Sequence, residues 1–242
     1  MKSICVMARK EIRSYFHSPL AYIFIGFFVS LSLVFFFFTE EFFGTGRAEI
    51  RGFFHWLPAT LAMLVCGLTM RQWARENDIG SVELLMTLPA STTEIVLGKF
   101  LGSLFLVGLS LLFTLGVPIT ADIYGALDWG PVIGGYVGAF LMGGAYIAIG
   151  LFVSSWFRDQ FVALLVSAAI CGSFAFASHD MTLGWVAGSP ALLSLFESIG
   201  FWSRFAGIER GIIEFGDIIY FLSITALFCF LNVAMLRNRR TA

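Results

Sequence analysis

The chain has 242 residues, of which 58% are hydrophobic and only 13% carry a charge, and its formal net charge is −1. This composition lies far from that of an average soluble domain and predicts a polytopic membrane protein. The four cysteines are scattered without a CxxC pair, so neither a disulfide framework nor a zinc site is indicated.

Residues 2–17 predict a helix that lies on the membrane surface. At 100° per residue, basic side chains occupy one arc and aliphatic or aromatic side chains the opposite arc, with Val6 and Glu11 as exceptions. The residues assigned to this interfacial elbow are Arg9, Lys10, Arg13, Tyr15 and Phe16. Ser18-Pro19 then turns the chain into the bilayer. The alternative is a basic flank that only orients the first span.

Six apolar blocks are long enough, at about 20 residues each, to cross the hydrocarbon as helices. They cover residues 19–38, 54–70, 95–119, 132–156, 161–178 and 218–236. Little chain remains between them, so a soluble catalytic domain is excluded. Eleven of the 15 Lys and Arg residues fall on one side of this arrangement, which predicts that both termini are cytoplasmic. The predicted fold is one all-α transmembrane domain over residues 1–242.

A short amphipathic helix is predicted over residues 81–88, within the longest basic loop. Ser81 is suited to the N-cap position and Glu83 to the positive end of the helix dipole. The residues that share one face of this helix are Val82, Leu85 and Met86. A membrane protein with such a helix in a loop is expected to present it to a soluble partner. An ordinary connecting turn is the alternative.

The chain after this helix carries two boundary signals. Pro89 disfavours helical backbone at the preceding residue and so ends the short helix. Ser91 and Glu94 match a capping box and mark the start of the third span.

The fourth span is rich in glycine. Gly134 and Gly138, and likewise Ala139 and Gly143, have the spacing that lets another helix approach closely. The partner is either another helix of the same chain or a second subunit.

The segment 179–216 is the longest outer loop and is too apolar to lie free in water. Aromatic and aliphatic residues alternate there with Gly and Pro, which predicts one or two short helices, re-entrant or interfacial, at the outer leaflet. This segment is expected to form an outer gate. The candidate gate residues are Trp202, Phe205 and Asp217.

Motifs for catalysis and nucleotide binding are absent from the sequence. It contains no GxxxxGK[ST], HExxH or GxSxG motif, so the chain is not expected to be an enzyme, to bind a cofactor or to hold a metal. The predicted spans also lack the internal carboxylates and histidines that ion-coupled transporters use. Energy for any transport must therefore come from outside the chain, and the helix at 81–88 is the predicted point of entry.

Four segments resemble the membrane subunits of type-2 ABC exporters, the ABC-2 permeases, and most closely the gliding-motility-associated branch. Residues 8–19 resemble the elbow helix of that family, and residues 76–89 resemble its coupling-helix motif, with Ser81 where threonine is commoner. Residues 150–160 resemble the end of the fourth span, and residues 205–221 resemble the outer loop that leads into the last span.

The resemblance implies a six-span exporter subunit that forms the substrate pathway with a second permease copy or a paralogue. It implies cytoplasmic ABC ATPase subunits that carry ATP and Mg, a place among the lipids of the bacterial inner membrane, and, for the gliding branch, an accessory protein with a periplasmic domain. No nucleic-acid partner is expected. The coupling residues would be Arg75, Glu76, Gly80, Ser81, Val82, Glu83, Leu84, Leu85, Met86 and Pro89. The alternative is a membrane anchor or assembly subunit of a motility or secretion complex that transports nothing.

Overall fold

The computed structural model describes residues 2–39, 50–80, 91–125, 127–186, 188–211 and 214–241. Within these ranges the chain is helical and has no strand, in agreement with the predicted all-α class. The helices are α1 (Lys2–Phe16), α2 (Pro19–Val34), α3 (Arg51–Asp78), α4 (Thr92–Phe113), α5 (Gly116–Tyr124), α6 (Trp129–Ser154), α7 (Gln160–Phe176), α8 (Asp180–Val186), α9 (Pro190–Ile199), α10 (Phe201–Glu209) and α11 (Phe215–Thr241). Helix α2 continues as a π-helical stretch, Phe35–Thr39.

In the described part of the chain, five stretches are long and apolar enough to cross a membrane, and they identify a multi-pass membrane protein. They are Pro19–Phe38, Arg51–Asp78, Thr92–Tyr124, Trp129–Ser154 and Phe215–Asn238. The remaining predicted span, at 161–178, coincides with α7, an apolar helix of 17 residues.

Helix α7 packs along α3. Near the end of α3, the side-chain amide of Asn77 donates hydrogen bonds to the carbonyl oxygens of Ser155 (3.2 Å) and Phe157 (2.9 Å), just before α7 begins. Beyond the end of α7, the ring centroid of His179 lies 6.4 Å from that of His55, near the start of α3. Positions 55 and 77 are about 33 Å apart along a helix. We call the end of the bundle near Asn77 the elbow end and the end near His55 the far end.

Helix α1 packs closely against α4 at the elbow end. A Cβ atom added at Gly98 would lie 2.5 Å from Cβ of Met7, and one at Gly102 would lie 2.8 Å from Cβ of Glu11. Neither distance is tolerated between real side chains, so both positions must be glycine for the helices to approach this closely. The elbow helix is therefore held by protein along one face, in addition to any contact with lipid.

Helix α6 lies at the centre of the bundle and uses its glycines to contact three other helices. Added Cβ atoms would lie 2.5 Å from the ring of Phe54 at Gly135, 2.7 Å from Ile208 at Gly138, and 2.8 Å from Val107 at Gly143. The glycine-rich face of the predicted fourth span is thus occupied within the chain, which favours intramolecular packing over a subunit interface.

The far end carries three short helices, α8, α9 and α10, where the sequence predicted one or two. Pro190 starts α9, and extended backbone at Gly200 separates α9 from α10. The side chain of Ser178 occupies the space that a Cβ atom at Gly200 would need. Helix α9 buries none of its residues, whereas α10 buries most of one face and packs on α3, α6 and α7. In this segment, α9 is therefore peripheral, and α10, which follows it, is inserted into the end of the bundle.

The predicted short helix at 81–88 falls outside the described residues, but both of its borders are described. Helix α3 gives way to Gly80 with φ of 68°, a left-handed conformation that suits glycine after a helix. Helix α4 begins at a capping box in which Ser91 accepts from the Glu94 amide and Glu94 accepts from the Ser91 amide. The predicted capping box is confirmed.

Candidate coupling site and outer gate

Lys99 is a buried cation that joins three helices at the elbow end. Its Nζ donates to Oε1 of Glu11 in α1 (3.1 Å), to Oε1 of Glu76 in α3 (2.9 Å) and to the carbonyl oxygen of Gln72 (3.0 Å). Only 3% of the Lys99 side chain is exposed. Nζ also lies 4.8 Å from the ring centroid of Trp73, within range of a cation–π contact. The ammonium is thus paired on several sides, as a buried charge requires.

Neutral hydrogen bonds extend this ion cluster toward the first span. The hydroxyl of Tyr15 donates to the carbonyl oxygen of Leu68 (2.9 Å), and Gln72 Nε2 donates to the hydroxyls of Tyr15 (2.5 Å) and Ser103 (2.9 Å). Burial raises the pKa of Tyr15, so its hydroxyl stays protonated and can keep donating. Helices α1, α3 and α4 therefore share one continuous polar network.

The predicted elbow residues occupy two different environments. The basic side chains of Arg9, Lys10 and Arg13 are exposed, and so is Phe16. Tyr15 is turned inward to the network. The elbow thus presents positive charge outward while its last turn is anchored to the bundle.

The described members of the predicted coupling set also divide by environment. Arg75 is exposed, Glu76 contacts Lys99, and Gly80 supplies the left-handed turn after α3. The members outside the described residues are Ser81, Val82, Glu83, Leu84, Leu85, Met86 and Pro89.

A second set of contacts holds the end of α3 from the side of α6. Ser154 Oγ accepts from the backbone amides of Trp73 (3.1 Å) and Ala74 (3.2 Å) and donates to the carbonyl oxygen of Met70 (3.1 Å). Together with the Asn77 amide, this serine fixes the helix that leads into residues 81–88 against the α6–α7 turn.

At the far end, Trp202 of α10 sits within a group of aromatic rings. Its ring centroid lies 4.5 Å from that of His179, 4.8 Å from that of His55 and 5.9 Å from that of Phe176. The first two contacts are edge-to-face, a favourable geometry for aromatic pairs. Only 8% of Trp202 is exposed. The side chain closes the space between the start of α3 and the end of α7.

The other two predicted gate residues hold α10 to different helices. Phe205 is buried, with its ring centroid 6.2 Å from that of Phe54 in α3. Asp217, in the first turn of α11, accepts from the Arg204 guanidinium at 3.3 Å. The structure thus brings Trp202 and Phe205 together on one buried face and places Asp217 at the start of the last span.

A further ion pair at the far end was not predicted. Glu209, the last residue of α10, accepts from Arg51 Nε at 3.1 Å; the Arg51 side chain is 59% exposed and that of Glu209 only 5%. Burial raises the pKa of Glu209, and the guanidinium of Arg51 opposes this shift only partly. Water screens the exposed partner of such a pair, so the contact is weaker than the Lys99 cluster.

The comparison with known families agrees with this architecture. The family described as ABC-2 family transporter protein matches residues 55–232, well over half of the chain. The chain belongs to this family. It is accordingly a permease subunit of an ABC transporter, which confirms the predicted ABC-2 class. A search among curated proteins finds no match.

Sequence reasoning about this ABC-2 permease missed the ion cluster, although three signals pointed to it. Glu11 interrupts the apolar arc of the elbow, and Lys99 falls inside the predicted third span. Either charge would be unfavourable by itself in an apolar position, but the two form an ion pair with each other. A third signal is the Gly98-x-x-x-Gly102 spacing, which marks the surface where α1 approaches.

The contacts observed at the elbow end are those of packing and charge pairing. In the described ranges, no group of three or more His, Cys, Asp or Glu side chains could hold a metal ion. Cys66 and Cys171 are both buried, and both are free thiols. The polar residues at the elbow end are engaged with one another, an arrangement suited to transmitting movement between helices.

Proposed function

We propose that this permease forms the substrate pathway of an exporter as a dimer, driven through residues 81–88 by separate cytoplasmic ATPase subunits. The observation that carries the proposal is the pairing of Lys99 with Glu11 and Glu76. Residues 81–88 connect the end of α3 to the start of α4, and this cluster ties both helices to the elbow. Movement of the short segment would therefore move all three helices.

The strength of the cluster determines how movement is transmitted. Removing one partner of a buried ion pair costs about 3–5 kcal/mol, so α1, α3 and α4 resist separation at the elbow end. The far end is held by aromatic pairs of about 0.5–1.5 kcal/mol each and by ion pairs with half-exposed arginines. A push at the elbow end would consequently open the structure at the far end, where Trp202, Phe205 and Asp217 form the outer gate.

The orientation and number of spans complete the proposal. Five stretches qualify as spans by length and composition, and α7 would supply the sixth, because the residues just before and just after it contact opposite ends of α3. With six crossings, the excess of basic residues at the elbow end would put both termini in the cytoplasm of a bacterium, with export outward across the inner membrane. The gliding-motility branch and its periplasmic accessory protein stay predictions based on residues 76–89 and 205–221.

The energy source follows from the missing nucleotide motif. Without a GxxxxGK[ST] sequence, this chain is not expected to hydrolyse ATP, and ATP and Mg would bind the partner subunits. A photo-crosslinker at Leu85 in cells tests this arrangement. The expected result is capture of a protein that contains a Walker A motif. The same crosslinker at Leu195, an exposed residue of α9 at the far end, is the matched control and should not capture it.

A Leu85→Asp variant extends this test to coupling. The charge should abolish substrate-linked ATP turnover in the reconstituted complex while the permease remains folded. If Leu85 captures only proteins without a nucleotide-binding motif, the driven-permease proposal is wrong, and a non-transporting anchor becomes the better description.

A further inference from the structure

A cavity of about 310 Å³, lined mostly by charged and polar residues, opens between the elbow helix and the elbow-end turns of α3 and α4. Four basic side chains and two acidic ones line it, so its net charge is positive. Both acids, Glu11 and Glu76, point a carboxylate oxygen at buried Lys99. Lys99 offsets only one of these two negative charges, but Lys10, Arg71 and Arg75 still leave the lining with a net positive charge.

Three of the cations have no carboxylate partner among the described residues. Arg71 and Arg75 lie one turn apart on α3, and Lys10 faces them from α1. Arg71 donates to the hydroxyl of Ser18, a neutral group that leaves its charge uncompensated. Like charges at i and i+4 are unfavourable on a helix. Their convergence on one cavity is explained if an anion enters it.

The surroundings of the cavity place its opening at the membrane surface. Ser18 lies at the junction between the elbow and the first span, and it lines the cavity together with Ser14. On the same junction, Phe16 and Tyr22 are exposed and in edge-to-face contact, with centroids 6.2 Å apart. Exposed aromatic rings at this position are typical of the headgroup region of a bilayer.

We propose that this cavity binds a phosphate group, carried by the headgroup of an anionic phospholipid in the adjoining leaflet. Arginine fits phosphate oxygens with paired N–H donors, and the hydroxyls of Ser14 and Ser18 add neutral donors beside Arg71. Basic pockets between spans and juxtamembrane segments recognise such headgroups. The occupant would bridge α1 and α3 next to the ion cluster, so lipid composition would regulate how firmly the elbow is held.

Lipid retention by the purified full-length chain tests the proposal without any ATPase. Native mass spectrometry from detergent would compare phosphatidylglycerol, phosphatidic acid and phosphatidylcholine, and inorganic phosphate would be added in a separate thermal-unfolding series. The wild type should retain the two anionic lipids in preference to phosphatidylcholine. Arg71→Gln should weaken that retention about ten-fold or more, the scale of a lost charged hydrogen bond.

Two further variants separate the cavity from general surface charge. Lys10→Gln removes an exposed lining cation, cannot disturb the Arg71–Ser18 contact, and should reduce retention in the same direction. Arg158→Gln removes an exposed cation of the same end that does not line the cavity, and it should change nothing. Equal losses from Arg71→Gln and Arg158→Gln would overturn the site.

The phosphate series distinguishes the two sources of the anion. Stabilisation by millimolar inorganic phosphate that Arg71→Gln removes, without selective lipid retention, would keep the phosphate site but reject the lipid as its source. No response to either anion would overturn the proposal and leave an acidic segment of a protein partner as the occupant. Neither result bears on coupling through residues 81–88, because no ATPase takes part.

Discussion

At the scale of single residues, the buried ammonium of Lys99 has the largest structural consequences. Two carboxylates, a backbone carbonyl and an indole ring surround it, and they come from two helices other than its own. A lysine in this environment is stable only while those partners remain. The sequence shows that a lysine inside a predicted span is unusual. It does not show the partners of Lys99, because Glu11 and Glu76 are distant from it along the chain.

Replacement of Lys99 by methionine should destabilise the protein by about 3–5 kcal/mol, because it strands two carboxylates beside each other at the elbow end. The measurement is the midpoint of denaturant unfolding in detergent, with circular dichroism as the signal. Adding Glu11→Gln and Glu76→Gln to Lys99→Met should recover most of the loss. The matched control is Lys10→Met, which removes an exposed cation and should shift stability by less than about 0.5 kcal/mol. Equal stability of Lys99→Met and wild type would contradict the ion cluster.

At the scale of elements, the elbow helix is defined by the surface it meets on α4. Its amphipathic pattern predicted a helix on lipid, and the pattern was sufficient for the helix itself. The pattern did not predict the groove on α4 at Gly98 and Gly102. Met7 and Glu11 pack into this groove so closely that a Cβ atom on either glycine would clash with them. The face that contacts α4 carries Met7 and Glu11, and the predicted contact with lipid concerns another face of the same helix.

A valine at Gly102 should push α1 away from α4. Overpacking of this kind typically costs about 1–3 kcal/mol, and the strain is relieved most easily by releasing the elbow. Hydrogen exchange followed by mass spectrometry should then show faster exchange over residues 2–16, with the remaining helices unchanged. Gly172→Ala in α7 is the control, because an added Cβ there has nothing within 4 Å. Unchanged exchange in the elbow would mean that the glycine groove does not hold it.

At the scale of the whole molecule, the packing of α7 along α3 supports the proposed six-span topology. A helix of 17 residues spans only about 25 Å, close to the lower limit for crossing the hydrocarbon. The residues that flank α7, Phe157 and His179, nevertheless contact Asn77 and His55 near the two ends of α3, a helix that is long enough to cross. In the proposed six-span topology, packing against α3 would compensate for the short apolar length of α7.

Single cysteines placed in a cysteine-free background at Asp159 and Ser189 should lie on opposite sides of the membrane. A membrane-impermeant thiol reagent added outside intact cells should label Ser189→Cys and spare Asp159→Cys, and inverted membrane vesicles should reverse the result. Both positions are N-caps of described helices and neither side chain is buried, so labelling should not disturb the core. Labelling of both cysteines from one side would exclude a sixth crossing by α7.

The sequence by itself determined the features that depend on local chemistry and on composition. Long apolar blocks identify a multi-pass membrane protein, Ser91 and Glu94 specify where α4 starts, and motifs spread along the chain indicate the ABC-2 family. Only the tertiary structure decided which distant residues meet: Lys99 with Glu11 and Glu76, α1 with the glycines of α4, and Trp202 with two histidines. The physical reason is that a hydrogen-bonded cap depends on neighbours within one turn. A buried charge or a glycine groove depends on which helices pack together, and hydrophobicity alone does not specify that choice.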